Sequence, residues 1–299
     1  MKRPALSALL ATVIALPFSP ARAQLQPAAN IEILETFAYP KANTKDTIAW
    51  ALNNLGTVGG TFNHGFLEQG FLRQSSGKFS PPISASPTAR NYVQAVNDAG
   101  VAAGYYVDTD GSHGFFFQDG VLTPYDMPGS TATIIYGLNN AGDFTGLVTN
   151  SGVTTAYASI GGTITAVSGA ANATFTWPHA INKRDQLVGY YVDNVPPLIE
   201  HGFLRNPEGS IVGPLDFPGA ANTQLFGIND RGTIVGFWYE EGNSVIHGLV
   251  LRHLTEFSQI DIPGASYTLV TGINNSGVIT GWYSMPHLGV FGFLARLVE

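Results

Sequence analysis

The sequence predicts an all-β fold: a six-bladed β-propeller of four-stranded blades, closed by an N-terminal strand that pairs with the last blade. A phrase of about 44 residues recurs six times along the chain. Glycine is abundant, at 35 of 299 residues, and only 12% of residues are charged. That composition suits tight turns between many short strands. The two ends of the chain match complementary parts of the repeat, as closure of a ring requires.

Residues 1–23 have the three parts of a secretory signal peptide. Lys2 and Arg3 precede the apolar stretch "ALSALLATVIALPF", and small residues flank a predicted cleavage site after Ala23. The apolar stretch is shorter than the ~20 residues that span a bilayer, and no later segment matches it. We therefore expect export to the periplasm or the medium, with no membrane span after cleavage. Residues 24–30 are predicted as a linker, and residues 31–299 as the propeller.

Net charge and cysteine content exclude several partners. The formal net charge is −7, and loss of the basic signal peptide makes the mature chain more acidic. An acidic protein repels phosphate backbones and anionic lipids, so we expect neither nucleic acid nor a membrane surface as partner. The chain has no cysteine, which excludes disulfides. No cofactor is predicted, and the closed ring is expected to be a monomer.

Each repeat opens with a short strand that ends at an asparagine. An aliphatic residue precedes each asparagine, and a small residue precedes that one because first strands converge on the propeller axis. An N-x-x-G turn follows, in which the asparagine caps the backbone and glycine takes a positive φ, with Asp185 as the fourth repeat's substitute. The asparagines are Asn53, Asn97, Asn139, Asn182, Asn229 and Asn274.

The second strand of each repeat is rich in β-branched and aromatic residues and contains a further glycine. These glycines are assigned to Gly59, Gly104, Gly146, Gly189, Gly236 and Gly281. A His-Gly motif marks the third strand, at His64, His113, His201 and His247. The fourth strand ends at an Asp-x-Pro-Gly turn, with Asp126, Asp216 and Asp261.

The histidines and aspartates are interpreted as structural. Equivalent third-strand positions lie on separate blades, whereas one Zn²⁺ needs all its ligands within about 2.1 Å. Each histidine is expected to bond a turn of its own blade, and each aspartate to cap a turn. No metal site is predicted.

The ends of the chain predict how the ring closes. The last repeat stops at "FGFLARLVE", after its third strand, whereas the N-terminal "IEILETFAYPKANT" aligns with fourth-strand phrases such as "VGPLDFPGAANT". Ile31–Phe37 is therefore expected to pair with the strand around Phe291–Val298, which hides an exposed sheet edge.

The recurring "GIN-x-x-G-x-[IV]-x-G-x-[YW]", followed by "HGF" and "D-x-PG[AS]", resembles the HAF-type repeats of bacterial extracellular proteins. The resemblance covers about residues 31–299. The third repeat departs from it with "TTAYAS" in place of His-Gly-Phe, and the sixth has Phe291 in place of the histidine. The resemblance implies export and a repeat architecture, and it implies no assigned chemistry.

One first-strand position, three residues before each asparagine, varies freely while its neighbours stay fixed. Either these side chains fill the channel and pack between blades, or they form a binding site at one channel mouth. In the second case the aromatic rings would stack on a ligand, and Gln94 and His179 would form hydrogen bonds. The six residues are Trp50, Gln94, Tyr136, His179, Phe226 and Thr271.

Enzymatic motifs are missing from the sequence. There is no nucleophile elbow, phosphate-binding loop or zinc-binding helix, and "DTDG" at 108–111 lacks the other ligands of a calcium loop. The expected function is that of a secreted, non-enzymatic binding or interaction scaffold with a glycan or protein ligand. The alternative is a hydrolase or lyase acting on an extracellular polysaccharide or peptide. Two converging carboxylates at a channel mouth would favour that enzyme.

Overall fold

The computed structural model describes residues 24–40, 42, 46–240, 242 and 245–298. The predicted signal peptide, residues 1–23, lies outside the described residues. Six β-sheets follow one another around a central axis and form a six-bladed β-propeller. The predicted fold class is confirmed.

The strands are numbered in chain order. Two N-terminal strands, β1 (Gln24–Leu25) and β2 (Ile31–Phe37), precede the first complete repeat. Blade 1 contains β3 (Thr47–Leu52), β4 (Val58–His64) and β5 (Leu67–Arg73). Blade 2 contains β6 (Arg90–Val96), β7 (Ala102–Val107), β8 (Ser112–Gln118) and β9 (Val121–Tyr125). Blade 3 contains β10 (Ala132–Leu138), β11 (Phe144–Asn150), β12 (Val153–Ile160) and β13 (Thr163–Val167).

The second half of the ring repeats this arrangement. Blade 4 contains β14 (Ala173–Ile181), β15 (Leu187–Asp193), β16 (Glu200–Arg205) and β17 (Ile211–Val212). Blade 5 contains β18 (Asn222–Ile228), β19 (Ile234–Tyr239), β20 (Ile246–Arg252) and β21 (Glu256–Ile260). Blade 6 contains β22 (Tyr267–Ile273), β23 (Val278–Met285) and β24 (Gly289–Leu297). The strands within each of the six repeats are antiparallel.

Blade 1 has a short outer edge. Only three regular strands form its sheet, and isolated bridges from Ile83 to Gly70 and from Phe79 to Arg73 take the place of the fourth.

The ring closes between its two ends, as predicted. β2 pairs antiparallel with β24, from Ile31 opposite Leu297 to Phe37 opposite Gly292. The Phe37 ring lies where a Cβ on Gly292 would be, at 2.4 Å from that position. The N-terminal strand is thus the fourth strand of blade 6, and it covers an edge that would otherwise be open.

Residues 24–30, predicted as a linker, follow the outer edge of blade 5. β1 pairs parallel with β21, and the amides of Gln26 and Ala29 donate to the carbonyls of Phe257 and Gln259. The segment is therefore a fifth strand on that sheet. Composition alone missed this because a two-residue strand has no periodicity to detect.

The hydrophobic core lies between neighbouring blades. In one cluster Leu204 of blade 4 packs with Leu225 and Leu249 of blade 5, all three nearly or fully buried. Burial of apolar surface contributes roughly 25 cal/mol per Å², so contacts between blades stabilise the ring.

The propeller has two faces. The turn face carries the six N-x-x-G turns and the hairpins between third and fourth strands. The loop face, opposite, carries the hairpins between second and third strands and the Asp-x-Pro-Gly turns.

His64 does not mark a third strand, contrary to the prediction. It is the last residue of β4, and Phe66 in the following hairpin is 100% exposed. Gly70 pairs with Thr61 in the register that the glycine after each histidine adopts in blades 2, 4 and 5. Gln69 therefore occupies the histidine position. The segment "HGFLEQGFLR" contains the pattern twice, and only pairing across the sheet distinguishes the two copies.

The predicted second-strand glycine of blade 1 was also one residue out of register. Gly60, not Gly59, lies opposite Ala49, in the same register as Gly104 opposite Val93 in blade 2.

Candidate functional site

Each repeated asparagine holds its own turn. In blade 5 the Asn229 Oδ1 atom accepts the amides of Arg231 and Thr233, each at 3.0 Å. Burial of the asparagine to 5% exposure protects these bonds from water. The predicted capping role is confirmed.

The same asparagines also join the blades, which the sequence analysis did not predict. The Nδ2 atom of each donates to the main-chain carbonyl of the asparagine in the next blade, at 2.9 to 3.3 Å. The series runs from Asn53 around the ring, and Asn274 donates back to Asn53. Six hydrogen bonds thus close a circle around the axis.

A second polar layer lies on the turn-face side of this circle. The residue after each asparagine extends its side chain to the preceding blade, where its oxygen accepts the equivalent amide. Lys183 has no acceptor, so the series is interrupted between blades 3 and 4. The layer contains Asn54, Asp98, Asn140, Lys183, Asp230 and Asn275 and surrounds a cavity of about 80 Å³.

The two carboxylates in this layer are fully engaged. Asp98 Oδ2 accepts the side-chain amides of Asn54 and Asn140. Asp230 Oδ2 accepts the Asn275 amide at 2.6 Å and lies 3.8 Å from Lys183 Nζ. The carboxylates of this mouth are therefore satisfied by neighbouring side chains of the same layer.

The six predicted site residues share one backbone feature. In every blade the register of first and second strands shifts at the third residue before the asparagine, which leaves that residue unpaired in a β-bulge. A bulge turns its side chain out of the normal alternation. The bulged residues are Trp50, Gln94, Tyr136, His179, Phe226 and Thr271, and all six line one axial cavity.

The second-strand glycine is required by the bulge. A Cβ on Gly146 would lie 1.8 Å from the carbonyl oxygen of Ile134, and one on Gly236 would lie 2.0 Å from that of Gln224. The other blades show the same conflict, so the glycine seven residues after each asparagine is the sequence signal of a bulge.

The axial cavity is small. Its volume is about 90 Å³, roughly the share of three water molecules in liquid water. An aliphatic layer, one residue before each asparagine, separates it from the turn-face cavity and lines both. Thr271 is buried and donates its hydroxyl to the carbonyl of Ala49 at 2.8 Å, so its polar group is already used within the ring.

The aromatic rings in the cavity pack partly on one another. His179 stacks on Phe226 with ring centroids 3.8 Å apart, and Tyr136 lies 5.0 Å from His179. Trp50 reaches across the small Thr271 to within 6.3 Å of Phe226. These four rings form a continuous aromatic arc, and the Gln94 side chain occupies the remaining sector.

The cavity lining is uncharged at neutral pH. Burial lowers the pKa of His179 to about 3 and raises the pKa of Tyr136 to about 12. The buried Trp50 Nε1 and His179 Nε2 atoms lack hydrogen-bond partners. Within the described residues the Gln94 amide also has none. Buried polar groups of this kind are normally satisfied by water or a ligand.

On the loop-face side a second set of side chains continues the lining. Tyr105 lies between Tyr92 and Tyr136, with centroids 4.6 and 6.2 Å from theirs. Tyr190 likewise lies between Trp177 and His179, at 5.0 and 5.6 Å. Tyr92 and Trp177 were not predicted as site residues, although each lies two residues before a predicted site residue on the same strand. The loop-face mouth is therefore lined by aromatic rings.

Two carboxylates approach this mouth from opposite sides of the ring. Glu200 of blade 4 accepts the Gln224 amide at 2.7 Å and the Tyr239 hydroxyl at 2.8 Å. Glu68 of blade 1 lies 3.5 Å from Arg90. In the described ranges, Glu68 and Glu200 do not form the adjacent pair that glycoside hydrolysis requires. The adjacent carboxylates Asp143 and Asp185 lie on the turn face, outside the lining of its cavity.

The histidines of blades 2, 4 and 5 bond turns of their own blades, as predicted. Their Nδ1 atoms lie 2.9, 2.7 and 2.9 Å from Asp126, Asp216 and Asp261. An aromatic residue of the second strand stacks on each histidine, at 5.0 to 5.2 Å in blades 2 and 4. Within the described residues, no group of three or more His, Cys, Asp or Glu side chains could hold a metal ion.

In the part of the chain described above, no helix has the length and apolar content that crossing a membrane requires.

No family model and no curated protein matches the chain. Solved structures share its fold. Virginiamycin B lyase from Staphylococcus aureus is 13% identical, with a TM-score of 0.51 over 90% of this chain and 100% of that one. A putative TolB from Agrobacterium tumefaciens is 11% identical, with a TM-score of 0.58 over 85% of this chain and 90% of that one. At such identity the likeness establishes a common propeller fold.

Proposed function

We propose that this chain is an exported, non-catalytic binding scaffold whose ligand docks at the loop-face mouth of the axial channel. The observation that carries this proposal is the β-bulge repeated in all six blades. The bulge directs the variable side chain of each blade to the axis. Closure of the ring requires no specific residue type at that position. Bulges are frequent beside functional sites because they re-aim side chains.

The chemistry of the lining favours a neutral ligand with a planar or sugar ring. His179 and Tyr136 are both uncharged at neutral pH, so the lining offers no charge to an ionic group. Trp177 and Tyr92 present aromatic surface of the kind that stacks on sugars or rings. A volume of about 90 Å³ admits only a small protruding group, so the body of the ligand would remain at the mouth.

The arrangement of acids supports binding rather than hydrolysis. Glu68 and Glu200 lie on blades 1 and 4. Glu200 accepts two hydrogen bonds, and Glu68 lies 3.5 Å from Arg90. Glycoside hydrolysis by two carboxylates needs the two carboxyl groups about 5–10 Å apart, on either side of the scissile bond.

We further propose that the chain belongs with the HAF-type repeat proteins and reaches the periplasm or the medium as a monomer. The motif-bearing residues support this grouping because Asn229, Gly232 and Gly236 each have a defined role in the repeat. Cleavage after Ala23 is tested by N-terminal sequencing of the protein recovered from the cell exterior.

Tryptophan fluorescence offers a direct test of the site. Trp50 and Trp282 lie at the channel and Trp177 at its mouth, whereas Trp238 is buried against Phe217 in blade 5. The mature protein would be titrated with maltohexaose, cellohexaose and chitohexaose after a glycan-array screen. Binding should change the emission, and a Trp238→Phe variant should retain that change.

The double variant Trp50→Ala, Tyr136→Ala should weaken binding by at least about tenfold, since each stacking contact is worth on the order of 1 kcal/mol. Phe66→Ala, which removes a fully exposed ring outside the channel, is the matched control. Unchanged affinity in the double variant, with its melting temperature preserved, would refute the channel site. Turnover of any probe would refute the non-catalytic role.

A further inference from the structure

A cationic groove lies on the turn face beside the axial turn-face cavity, with which it shares Asn229, Ile273 and Asn275. Its volume is about 640 Å³, and it is formed by turns and strand ends of blades 4, 5 and 6. Arg184, Arg231, Arg252 and His253 line it, and none of its lining residues is acidic. Three arginines on one groove are unexpected in a chain of net charge −7.

Two of the three arginines depart from the repeat. Arg184 and Arg231 occupy equivalent positions, two residues after the asparagine, in adjacent blades. The other blades have no charge at this position; their residues are Leu55, Ala99, Ala141 and Ser276. The turn itself therefore does not require arginine.

The hairpin that carries His253 also departs from its equivalents. His253 and Leu254 have φ values of 54° and 62°, a conformation that costs non-glycine residues about 1–2 kcal/mol each. The equivalent hairpins of blades 2 and 3 contain Asp119-Gly120 and Gly161-Gly162. In blade 5 this backbone conformation is found where the exposed His253 imidazole and the half-buried Leu254 side chain line the groove.

The positive charge is not cancelled locally. Among the described residues, no carboxylate forms an ion pair with Arg184, Arg231 or Arg252. Arg184 donates to the carbonyl of Asp230, whose carboxylate is held at the axis by Asn275 and Lys183. Glu256, at 3.3 Å from His253, is the acidic group paired with the lining.

We propose that this groove binds a ligand with two or more carboxylate groups, either an acidic oligosaccharide or a small polycarboxylic acid. Guanidinium groups bind carboxylates through paired, charge-assisted hydrogen bonds. The volume lies in the range of small-molecule sites, about 300–1,000 Å³. Gln186, Thr233 and Ser276 add amide and hydroxyl groups that suit a hydroxylated ligand.

A peptide is disfavoured as occupant. Strand-addition and Pro-rich peptide grooves use an open strand edge or aromatic pockets, whereas this lining consists of turns and strand ends with no Phe, Tyr or Trp. An acidic peptide could contact the arginines through its carboxylates alone, and hexaglutamate tests that occupant below. Nucleic acid is disfavoured by the net charge.

The test is isothermal titration of the mature protein with hexagalacturonate, citrate, maltohexaose and hexaglutamate at low and at moderate salt. Binding of hexagalacturonate or citrate, weakened by salt, supports the proposal, and the tighter of the two identifies the source. Maltohexaose binding with equal affinity, preferential binding of hexaglutamate, or no binding of either acid would overturn it.

Variants locate the site. Arg231→Gln with Arg252→Gln should weaken binding of the acid by about tenfold or more, at an unchanged melting temperature. The matched pair Arg90→Gln with Arg296→Gln, which removes two arginines elsewhere on the surface, should leave binding intact, as should the Trp50→Ala, Tyr136→Ala channel variant. Equal affinity of the groove variant and the wild type would overturn the assignment.

Discussion

Two rings of six side chains lie three residues apart in each repeat, and they differ in how much the residue type varies between blades. The ring of Asn229 and its equivalents has one residue type in every blade, and each member bonds its own turn and the next blade. The ring of Phe226 and its equivalents has six different residue types, and its backbone is held by a bulge whatever the side chain is. The repeat therefore specifies backbone geometry, and the positions whose residue type varies between blades are available for function.

The largest expected effect is on the bulge. Gly146→Ala would place a Cβ 1.8 Å from the Ile134 carbonyl, which the sheet cannot accommodate without shifting. We expect a loss of more than about 3 kcal/mol in the free energy of unfolding, measured by denaturant titration. Gly142→Ala in the same blade is the control, because its positive φ has open space around it and costs about 1–2 kcal/mol. Equal costs would show that the bulge is not rigid.

Substitution of one member of each ring should lower the free energy of unfolding by different amounts in the same denaturant titration. Asn229→Ala removes two accepted hydrogen bonds and the bond to blade 6, so we expect a cost of roughly 2–3 kcal/mol. Phe226→Leu keeps an apolar group in a partly open cavity and should cost less than about 1.5 kcal/mol. A larger cost for Phe226→Leu would mean that the variable ring is mainly structural.

A smaller effect concerns acid stability. Burial lowers the pKa of His179 to about 3, below that of an unfolded histidine, near 6.5. The unfolded chain therefore binds more protons between these values, and stability falls as the pH is lowered through this window. From pH 6 to pH 4 this residue should cost roughly 2 kcal/mol, which His179→Phe should remove.

His113 on the blade surface is the control of opposite sign. Its bond to Asp126 raises its pKa, so its contribution to stability is present at low pH and is lost as the pH rises through the folded-state pKa. NMR titration should show His113 protonating near or above pH 6.5, whereas His179 stays neutral down to about pH 4. Protonation of His179 near pH 6.5 would show that the channel is open to water.

The sequence determined the repeat, the blade number and the closure by β2 because each depends on patterns repeated six times or on a complementary end. It also indicated that Trp50 and its equivalents line the axial channel. The six repeats of a single chain show which position varies while its neighbours stay the same. Register errors arose at His64 and Gly59, where a local motif has two overlapping copies. The register between neighbouring strands decides which copy occupies the repeat position. The sequence of one strand does not specify that register.

Other features depend on contacts between repeats. The circle of asparagine hydrogen bonds joins residues about 44 positions apart, and no local rule indicates where an Nδ2 atom points. The groove of Arg184, Arg231 and Arg252 combines two adjacent turns and a hairpin, which become neighbours only when the blades are in place. Arginine at a turn is otherwise an ordinary surface residue.

The pairing of β2 with β24 also sets the timing of folding. The partner of Ile31 is Leu297, so β2 is made first and lacks its partner until β24 has been made. Closing a loop of this length costs only modest entropy, which grows slowly with chain length, but contacts so distant in sequence slow folding. A chain that ends before β24 can therefore form only an open series of blades, and closure of the ring requires both β2 and β24.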